Sequence, residues 1–520
     1  MMLLTDRPPT LWYTAVLQPA SPRFPDLVAV LVDEVDRFRT STRGLSDAVL
    51  LGEAQAASWI LEGLYQAYLS VPRAAFALPL SDRFYSGSRP NPVPFPLGAV
   101  RRIVEAAQSL GWMKVHLGVH EPEGGAVTTA EAAGDLAKLL SCEYLEWIEF
   151  APPPDERLIL LADQSPERVR RSVQPEDGAL VAQWQTNLRR INEFLLSRCV
   201  YLDASNEVIL NAGVARVQKS SRPGEHHVGP LSFSQVALRR IFARGRLDLG
   251  GRFYGGWWQH VPSEYRRYVG IDGDLTCEAD YSGMALNCLY ALESKDVGLE
   301  DPYDIGLSYI AGDDPRRKIV KKYVNAILND EKGTYKLPHD EQRILGLTQK
   351  ELRERVATRH ATVAHHFHSG VGLKLQFYDS QIAERVMLRF VGQEKVCLPI
   401  HDSFIVRHDQ IDQLVQVMGE EFRSQFGRGI KVNPDEVIFD ERITIPDSQH
   451  IPIGLTPAEQ ADAFHHIHWG RVSIASRYYT SWVMQTKTRE EIDAEYERAV
   501  KCWLEIRPFI AEKTRNVRFP

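Results

Sequence analysis

Alternating apolar positions predict two places in the second half of the chain where a strand ends at a carboxylate. Residues alternate through "LTCEA" and predict a strand that stops at Asp280, after which the apolar spacing becomes helical. A second alternation over 396–400 and its return over 404–406 predict a hairpin with His401 and Asp402 at its tip. A strand end and a hairpin tip can meet over one sheet, so the two aspartates are predicted to lie together.

A cationic helix is predicted between these two stretches. In "RRKIVKKYVNAILND" four polar residues lie four positions apart and therefore share one helix face. They are Arg317, Lys321, Asn325 and Asn329. A further helix, predicted over "QIDQLVQVMGEEF", has an apolar face that can cover the back of the sheet. The pattern thus predicts two carboxylates opposite a helix that carries arginine and lysine.

In the first half of the chain the pattern is helix, hairpin, helix over about residues 95–142. The spacing in "AVRRIVEAAQSL" predicts a helix, and the alternation in "MKVHLGV" predicts a strand. Thr128 and Glu131 have capping-box spacing, which predicts that a second helix opens there. The order resembles a winged helix, and a small packing module without DNA contact is the alternative. Residues 177–245 are predicted to be mainly helical.

Length, cysteine usage and charge narrow the class of protein. A chain of 520 residues, 44% of them hydrophobic, can bury large cores in several domains. The six cysteines have no CxxC spacing, so a reducing compartment is predicted rather than a zinc ribbon or a disulfide framework. No secretion signal and no membrane-spanning apolar run are recognisable, which predicts a cytoplasmic protein without membrane contact. The net charge of −7 predicts that nucleic-acid contact is confined to a groove.

Two aspartates opposite a cationic helix suit phosphoryl transfer from a nucleoside triphosphate. Carboxylate oxygens bind Mg²⁺ or Mn²⁺, which lower the pKa of the attacking hydroxyl and bridge the phosphates. Fixed cations neutralise the charge of the leaving pyrophosphate. A lone aspartate at a strand end is more often a cap or a turn residue, so the prediction depends on the segments in combination.

Four segments, in order, carry a resemblance to a known family over about residues 235–430. "DYSGMALNCLYA", "RKIVKKYVNAILN", "LQFYDSQIAERVML" and "LPIHDSFIV" resemble motif A, motif B, the glutamine-bearing helix and motif C of the family A DNA polymerases and the single-subunit phage RNA polymerases. The resemblance implies that Asp280 and Asp402 bind the catalytic metal ions, together with the main-chain carbonyl of Tyr281.

The resemblance also implies roles for other side chains. The residues that it assigns to the nucleotide site are Arg317, Lys321, Asn325, Asn329, Tyr281 and Ala285. Lys321 would in addition be catalytic, because it would neutralise the leaving phosphates. The residues that it assigns to nucleic acid are Arg252, Gln376 and His401, with His401 beside the primer terminus and Gln376 at the duplex.

The sequence departs from the DNA polymerases of this family at the positions that select the sugar. Ala285 stands where those enzymes have glutamate, and Asn329 stands in place of the motif B aromatic residue. These side chains leave room for a 2′-hydroxyl, so ribonucleotide use is predicted. A substitute gate, such as Tyr323 or the His365–His366 pair, is the alternative. No segment before the palm motifs resembles a proofreading exonuclease.

The predicted fold is α+β, a right-hand polymerase with an antiparallel palm sheet backed by helices, helical fingers and an N-terminal accessory region. The predicted domains are the accessory region over 1–150, a helical thumb-like connector over 151–250, palm and fingers over 251–435, and a C-terminal extension over 436–520. The predicted function is a DNA-directed, ribonucleotide-tolerant polymerase that binds nucleoside triphosphates and a primer–template duplex or a single strand. The alternatives are a terminal transferase or primase-like enzyme, and an inactive palm that regulates by binding nucleic acid.

Two histidine-rich stretches, "RHATVAHHFHSG" and "FHHIHWG", raise the question of a transition metal. Neither has a fourth ligand at a recognisable spacing. Packed or solvated histidines are therefore the prediction for both.

Overall fold

The structure is a computed structural model of the chain. The residues that it describes are 10–11, 18–19, 24–39, 46–68, 70–71, 74–80, 95–118, 128–140, 150–151, 155, 158–162, 170–172, 178–198, 200–202, 212, 231–232, 235–272, 274–298, 301–309 and 314–435. The predicted C-terminal extension over 436–520, which includes "FHHIHWG", lies outside these residues.

The first part of the chain forms a four-stranded sheet with helices packed on it. Its helices are α1 (Phe24–Arg37), α2 (Asp47–Tyr68), α3 (Leu97–Ser109) and α4 (Gly134–Leu140). Its strands are β1 (Thr10–Leu11), β2 (Gln18–Pro19), β3 (Ser70–Val71), β4 (Ala75–Ala77), β5 (Met113–His116), β6 (Thr129–Ala132) and β7 (Phe150–Ala151). The sheet has the order β1-β4-β6-β5, with β1 parallel to β4, and β2 pairs with β7.

The segment predicted as a possible winged helix over 95–142 is part of this larger sheet. Helix α3, strands β5 and β6 and helix α4 follow in the predicted order, but β6 pairs with β4 as well as with β5. The hairpin therefore belongs to a larger sheet, because both edges of β6 are hydrogen-bonded. The predicted capping box is also wrong, since the helix begins at Gly134. The Thr128 hydroxyl instead accepts a hydrogen bond from the Gly118 amide at 3.0 Å.

The middle of the chain adds a second sheet and one long helix. Its elements are β8 (Ile159–Ala162), β9 (Arg170–Ser172), α5 (Gly178–Leu196), β10 (Val200–Leu202), β11 (Leu231–Ser232), β12 (Arg239–Phe242) and β13 (Gly250–Tyr254). The sheet order is β13-β12-β8-β9, and β11 pairs with β3. Helix α5 agrees with the mainly helical prediction for 177–245, whereas the strands β10, β11 and β12 depart from it. Strand β12 alternates buried and partly exposed side chains, a period of two that the helical interpretation missed.

An antiparallel six-stranded sheet carries the residues predicted for the palm. Besides β10, its strands are β14 (Val269–Ile271), β15 (Asp274–Tyr281), β16 (Leu398–Ile400), β17 (Ser403–Arg407) and β18 (Val432–Pro434). The order is β10-β14-β15-β17-β16, and β18 pairs with the end of β15. Helices and mainly antiparallel sheets together confirm the predicted α+β class.

In the part of the chain that the structure describes, six helices accompany this sheet. They are α6 (Met284–Leu292), α7 (Pro315–Asn329), α8 (His339–Leu345), α9 (Gln349–Arg359), α10 (Gly372–Val391) and α11 (Ile411–Phe426). Short 3₁₀ helices lie at Trp257–His260, Ser263–Tyr268, Ala364–His366 and His408–Gln410. Helix α11 packs on β15 through a buried apolar face, as the sequence predicts. Helix α10 contacts β13, α5, α6, α7 and α11, so it is the central helix of this part.

Buried apolar side chains form two clusters. The first gathers residues between Phe24 and Leu140, and the second gathers residues between Leu158 and Phe422. The second cluster continues across position 250, so the predicted connector and the predicted palm share one core. Among the helices that the structure describes, none combines the length and the apolar character needed to cross a membrane.

Candidate functional site

Asp280 and Asp402 lie at the same end of two paired strands. In the register of β15 and β17, Asp280 is opposite Ser403, the residue that follows Asp402. The Tyr281 amide donates to the Asp402 carbonyl at an N···O distance of 3.5 Å. Burial and the charge of Asp402 raise the pKa of Asp280 to about 7, and the charge of Lys321 opposes this rise. The two predicted aspartates therefore repel each other within reach of the predicted lysine.

The hairpin tip that carries Asp402 has a backbone conformation that is unusual for its residue. Ile400 pairs with Ser403, so His401 and Asp402 form a two-residue turn. His401 has a φ of 60°, in the left-handed region that glycine usually occupies in such turns. Its imidazole lies edge-on to the Tyr254 ring, with 5.8 Å between the ring centroids. Strain of this kind, held beside a carboxylate, is typical of functional sites.

Helix α7 brings Lys321 to the same place. Asp314 caps its first turn, and Pro315 begins the helix with a preset φ. The side chains that it buries are Ile319, Val320, Tyr323, Val324, Ile327 and Leu328. The next residue after Lys321 faces elsewhere, because the Lys322 ammonium pairs with Glu341 at 2.7 Å. The two adjacent lysines therefore have different surroundings.

A cavity of about 230 Å³ lies between α6, α7, α10 and the carboxylate end of the sheet. The predicted site residues that line it are Arg252, Tyr281, Ala285, Lys321, Asn325, Asn329, Gln376 and Asp402. Tyr303 and Asp379 are also in its wall, although the sequence did not single them out. Segments far apart in the sequence therefore converge on one cavity.

Three of the predicted site residues are not part of the cavity wall, namely Asp280, Arg317 and His401. Arg317 donates two hydrogen bonds to Asp301, at 2.5 and 2.9 Å. Its guanidinium carbon lies 5.3 Å from the centroid of the Tyr303 ring. His401 is exposed at the hairpin tip. Arg317 is thus engaged by a protein carboxylate that the sequence pattern did not reveal.

Arg252 is held against a buried carboxylate. Its Nε donates to Asp379 Oδ2 at 2.6 Å, and Asp379 is only 3% exposed. Burial raises the pKa of Asp379 to about 7 against the attraction of Arg252, and Asp402 adds to the rise. Although burial works against the charge of Arg252, the two carboxylates hold its pKa above the ordinary value. The signal was present in the sequence, because Asp379 interrupts the apolar stripe of Leu375 and Ile382 on α10.

Tyr303 is a buried wall residue that no sequence pattern indicated. Burial and the charge of Asp402 raise the pKa of its phenol. Gly283 precedes α6 with a φ of 60°, and a Cβ at this position would lie 3.2 Å from Pro302 and 3.6 Å from the Tyr303 hydroxyl oxygen. Glycine at position 283 therefore suits the positive φ and the close approach of Pro302, and the Tyr303 phenol lies beside the start of α6.

The two positions predicted to select the sugar both line the cavity, but Asn329 is partly engaged. Its Nδ2 donates to the Asn325 carbonyl at 2.8 Å. Gly372 lies so near that a Cβ there would overlap the Asn329 amide. One amide hydrogen of Asn329 is therefore already used, whereas the methyl group of Ala285 leaves its side of the cavity open.

Neither substitute gate considered from the sequence reaches the cavity. Tyr323 is 1% exposed, and its ring lies 6.1 Å from that of Tyr335 in the core. His365 and His366 contact Glu293 instead. The aromatic residues that line the cavity are Tyr281 and Tyr303.

Comparison with known proteins adds no assignment. No protein-family model matches the chain, and no curated protein sequence matches it. Function must therefore be inferred from the residues around the cavity and from the motifs in the sequence.

Proposed function

We propose that the chain is a metal-dependent nucleotidyltransferase of the family A polymerase type, which adds nucleotides to the 3′-hydroxyl of a nucleic acid. One observation carries the proposal. Carboxylates from two paired strands repel each other, while a lysine from the facing helix acts on one of them at the edge of a cavity. Incompletely compensated charges reduce stability, so their persistence in a cleft favours a catalytic role.

The donor set at the strand ends fits Mg²⁺ or Mn²⁺. Asp280 and Asp402 offer hard carboxylate oxygens, and a cation between them would relieve the repulsion that, together with burial, raises the pKa of Asp280. The Tyr281 phenol donates to the Met418 carbonyl at 2.8 Å and is buried, so Tyr281 would contribute its main-chain oxygen. When bound, such ions lower the pKa of the attacking hydroxyl and neutralise phosphate charge.

Basic side chains supply the remaining charge. Lys321 would stabilise the negative charge that develops on the leaving pyrophosphate. Arg252, already oriented by its carboxylate partner, would hold a phosphate of the nucleic acid. Arg317 takes a different role from the one that the resemblance implies. Its pair with Asp301 makes it a positioning residue, which keeps Tyr303 in the cavity wall.

The proposed substrates include ribonucleotides. Ala285 provides space for a 2′-hydroxyl, and the second amide hydrogen of Asn329 or the Tyr303 phenol can bond to it. Gln376 in the cavity wall would contact the duplex, and the exposed His401 would meet the primer terminus arriving from solvent.

Primer extension by the purified chain tests this proposal. We expect the wild type to extend a primed template in the presence of Mg²⁺ and nucleotides. Each of the variants Asp402→Asn and Asp280→Asn should lower the rate of extension by about a thousandfold or more, because each removes several kcal/mol of charge stabilisation. Asp409→Asn is the matched control, since this aspartate pairs with Arg407 on the surface. Near-wild-type extension by both site variants would refute the proposal.

The same assay separates the alternatives. Extension of a single strand without template indicates a terminal transferase, and synthesis without a primer indicates a primase-like enzyme. Binding of the duplex with no extension under any nucleotide set indicates the inactive regulator.

A further inference from the structure

A second group of metal-ligating side chains lies outside the cavity. Glu293 follows the last residue of α6, and His365 and His366 belong to the 3₁₀ helix that precedes α10. Glu293 Oε1 lies 2.7 Å from His366 Nε2 and 3.4 Å from His365 Nε2. The ligand atoms of all three lie within 4.8 Å of one another, and no other group of three in the described residues meets this limit.

The geometry is close to that of a tetrahedral zinc site. Zinc–ligand distances of about 2.0–2.1 Å imply separations of about 3.3 Å between ligand atoms. The His365 contact of 3.4 Å already has about this length, and the His366 contact of 2.7 Å needs to open by about 0.6 Å to reach the separation that zinc requires. Two imidazole nitrogens and one carboxylate oxygen suit Zn²⁺, Ni²⁺ or Cu²⁺, whereas Mg²⁺ prefers oxygen ligands alone.

An ordinary surface ion pair explains only part of this arrangement. A hydrogen bond from His366 satisfies the Glu293 carboxylate and lowers its pKa. That pair does not require His365, yet the His365 ring lies 4.1 Å from the His366 ring and its Nε2 points at the same oxygen. The side chains are 36%, 60% and 26% exposed for Glu293, His365 and His366, so an ion and a fourth ligand from solvent can enter.

We propose that Glu293, His365 and His366 form a binding site for a divalent transition metal ion of the Zn²⁺ type. No metal site was predicted at this histidine-rich stretch, because no further ligand stands at a recognisable spacing in the sequence; Glu293 is 73 residues before His366. A metal bond across so long a segment restrains the unfolded chain and stabilises the folded one.

A metal ion at this site would connect the end of α6 to the segment just before α10, and both of these helices contribute to the cavity wall. The C-terminal turn of α6 is already docked there, because the Tyr290 hydroxyl lies 3.1 Å from His360 Nδ1 and His360 Nε2 lies 2.9 Å from the Pro302 carbonyl. The metal would add a second link, one turn further along α6, to the segment just before α10. Both helices contribute to the cavity wall, but none of the three metal ligands does. The inference is therefore independent of the proposed nucleotidyl transfer.

Zinc titration of the full-length chain tests the site. The protein is stripped with a chelator and titrated with Zn²⁺ in a calorimeter, and its thermal unfolding is followed with and without one equivalent of the ion. We expect His365→Ala/His366→Ala to bind one Zn²⁺ fewer than the wild type and to lose the several-degree rise in Tm that Zn²⁺ produces. Glu293→Gln should weaken Zn²⁺ binding at least tenfold, and Mg²⁺ should not raise the Tm through this site.

Three controls keep the outcome interpretable. His339→Ala removes an exposed histidine elsewhere in the described chain and should change neither readout. Replacing His465, His466 and His468 together by alanine tests the second histidine-rich stretch, and Asp280→Asn/Asp402→Asn tests binding at the cavity. Equal Tm values of wild type and the double-histidine variant in chelator show that folding is intact. Absence of Zn²⁺ binding by the wild type, or equal stoichiometry in the double-histidine variant, would overturn the site.

Discussion

Two clusters of charged side chains flank helix α10, and they differ in how completely their charges are paired. In the first cluster Arg240 is fully buried, and its guanidinium donates to the Gly251 carbonyl, the Glu384 carboxylate and the Ser380 hydroxyl at 2.9–3.0 Å. Burial lowers its pKa to about 10, so it remains charged at neutral pH. The aromatic rings around the guanidinium are those of Trp184, Phe242 and Phe253.

The second cluster is Asp280, Asp402 and Lys321. Among the described residues, none of these three side chains has a hydrogen-bond partner or an ion-pair partner within 4.0 Å, although their charges influence one another. The Arg240 cluster leaves no buried charge unpaired, whereas the charges beside the cavity are only partly compensated. In the proposed function, these partly compensated charges are available to bind ions and phosphates.

The largest expected effect on stability is at Arg240. Arg240→Met would leave the Glu384 carboxylate buried without its cation, so the free energy of unfolding should fall by about 3–5 kcal/mol. Urea denaturation measures this. The double variant with Glu384→Leu should regain most of the loss, because no charge is then left unpaired. Arg246→Met, which removes an exposed ion pair with Asp248, should leave the free energy of unfolding nearly unchanged. If Arg240→Met and Arg246→Met lowered the free energy of unfolding equally, the structural role assigned to Arg240 would be contradicted.

Lys321 in the second cluster should respond in activity rather than in stability. Lys321→Ala should reduce kcat of primer extension about a hundredfold, because a fixed cation near developing negative charge is lost, and leave the Tm nearly unchanged. Lys322→Ala is the matched control, since this neighbouring lysine pairs with Glu341 away from the cavity. If both alanine variants lost activity equally, the role of Lys321 would have to be withdrawn.

Burial of Asp280, together with repulsion from Asp402, should appear as a pH-dependent stability. Asp280 has a pKa of about 7 in the folded chain against an ordinary value of 3.8, so between these values the folded state binds more protons than the unfolded state. The free energy of unfolding therefore falls as pH rises from about 4 to 7. In chelator, Asp280→Asn should be more stable than the wild type by about 1–2 kcal/mol at pH 8, with little difference near pH 4.5.

Asp330 serves as a control, because its pKa is lowered in the folded chain whereas that of Asp280 is raised. Main-chain hydrogen bonds, the largest from Tyr335, lower the pKa of Asp330 to about 2, so ionisation of this aspartate stabilises the fold above pH 4. Asp330→Asn should therefore lower the Tm at pH 8. The Tm values of both variants and the wild type, measured at about pH 4.5 and pH 8, test the two expectations. A pH-independent difference between Asp280→Asn and the wild type would mean that neither burial nor the charge of Asp402 raises the pKa of Asp280.

The smallest expected effect concerns the open side of the cavity. Ala285→Glu should shift the preference between nucleotide sets about tenfold towards deoxynucleotides, because the longer side chain fills the space available to a 2′-hydroxyl. Competition on one primed template measures the ratio, with Ala361→Glu on the exposed surface as control. A strong deoxynucleotide preference in the unmodified chain would instead point to Tyr303 as the gate.

The comparison also shows which parts of the site were open to prediction. The two aspartates, the face of α7 and the covering helix α11 follow from periods of two and 3.6, which are local properties of the chain. The capping-box prediction at Thr128 failed although its spacing was correct. The same residues also alternate as a strand, and pairing with β4 and β5 favoured that structure.

Local patterning along the chain was enough to place Asp280 near the end of a strand, Asp402 at a hairpin tip and Lys321 on a polar face of a helix, because each depends on neighbours within a few residues. Which charges are neutralised depends instead on how distant segments pack in the tertiary structure. Long arginine side chains find partners from distant segments, so the pair of Arg317 with Asp301 and that of Arg252 with Asp379 depend on how helices and strands pack. The difference between a paired and an available charge is set by that packing, since distance and burial control both attraction and desolvation.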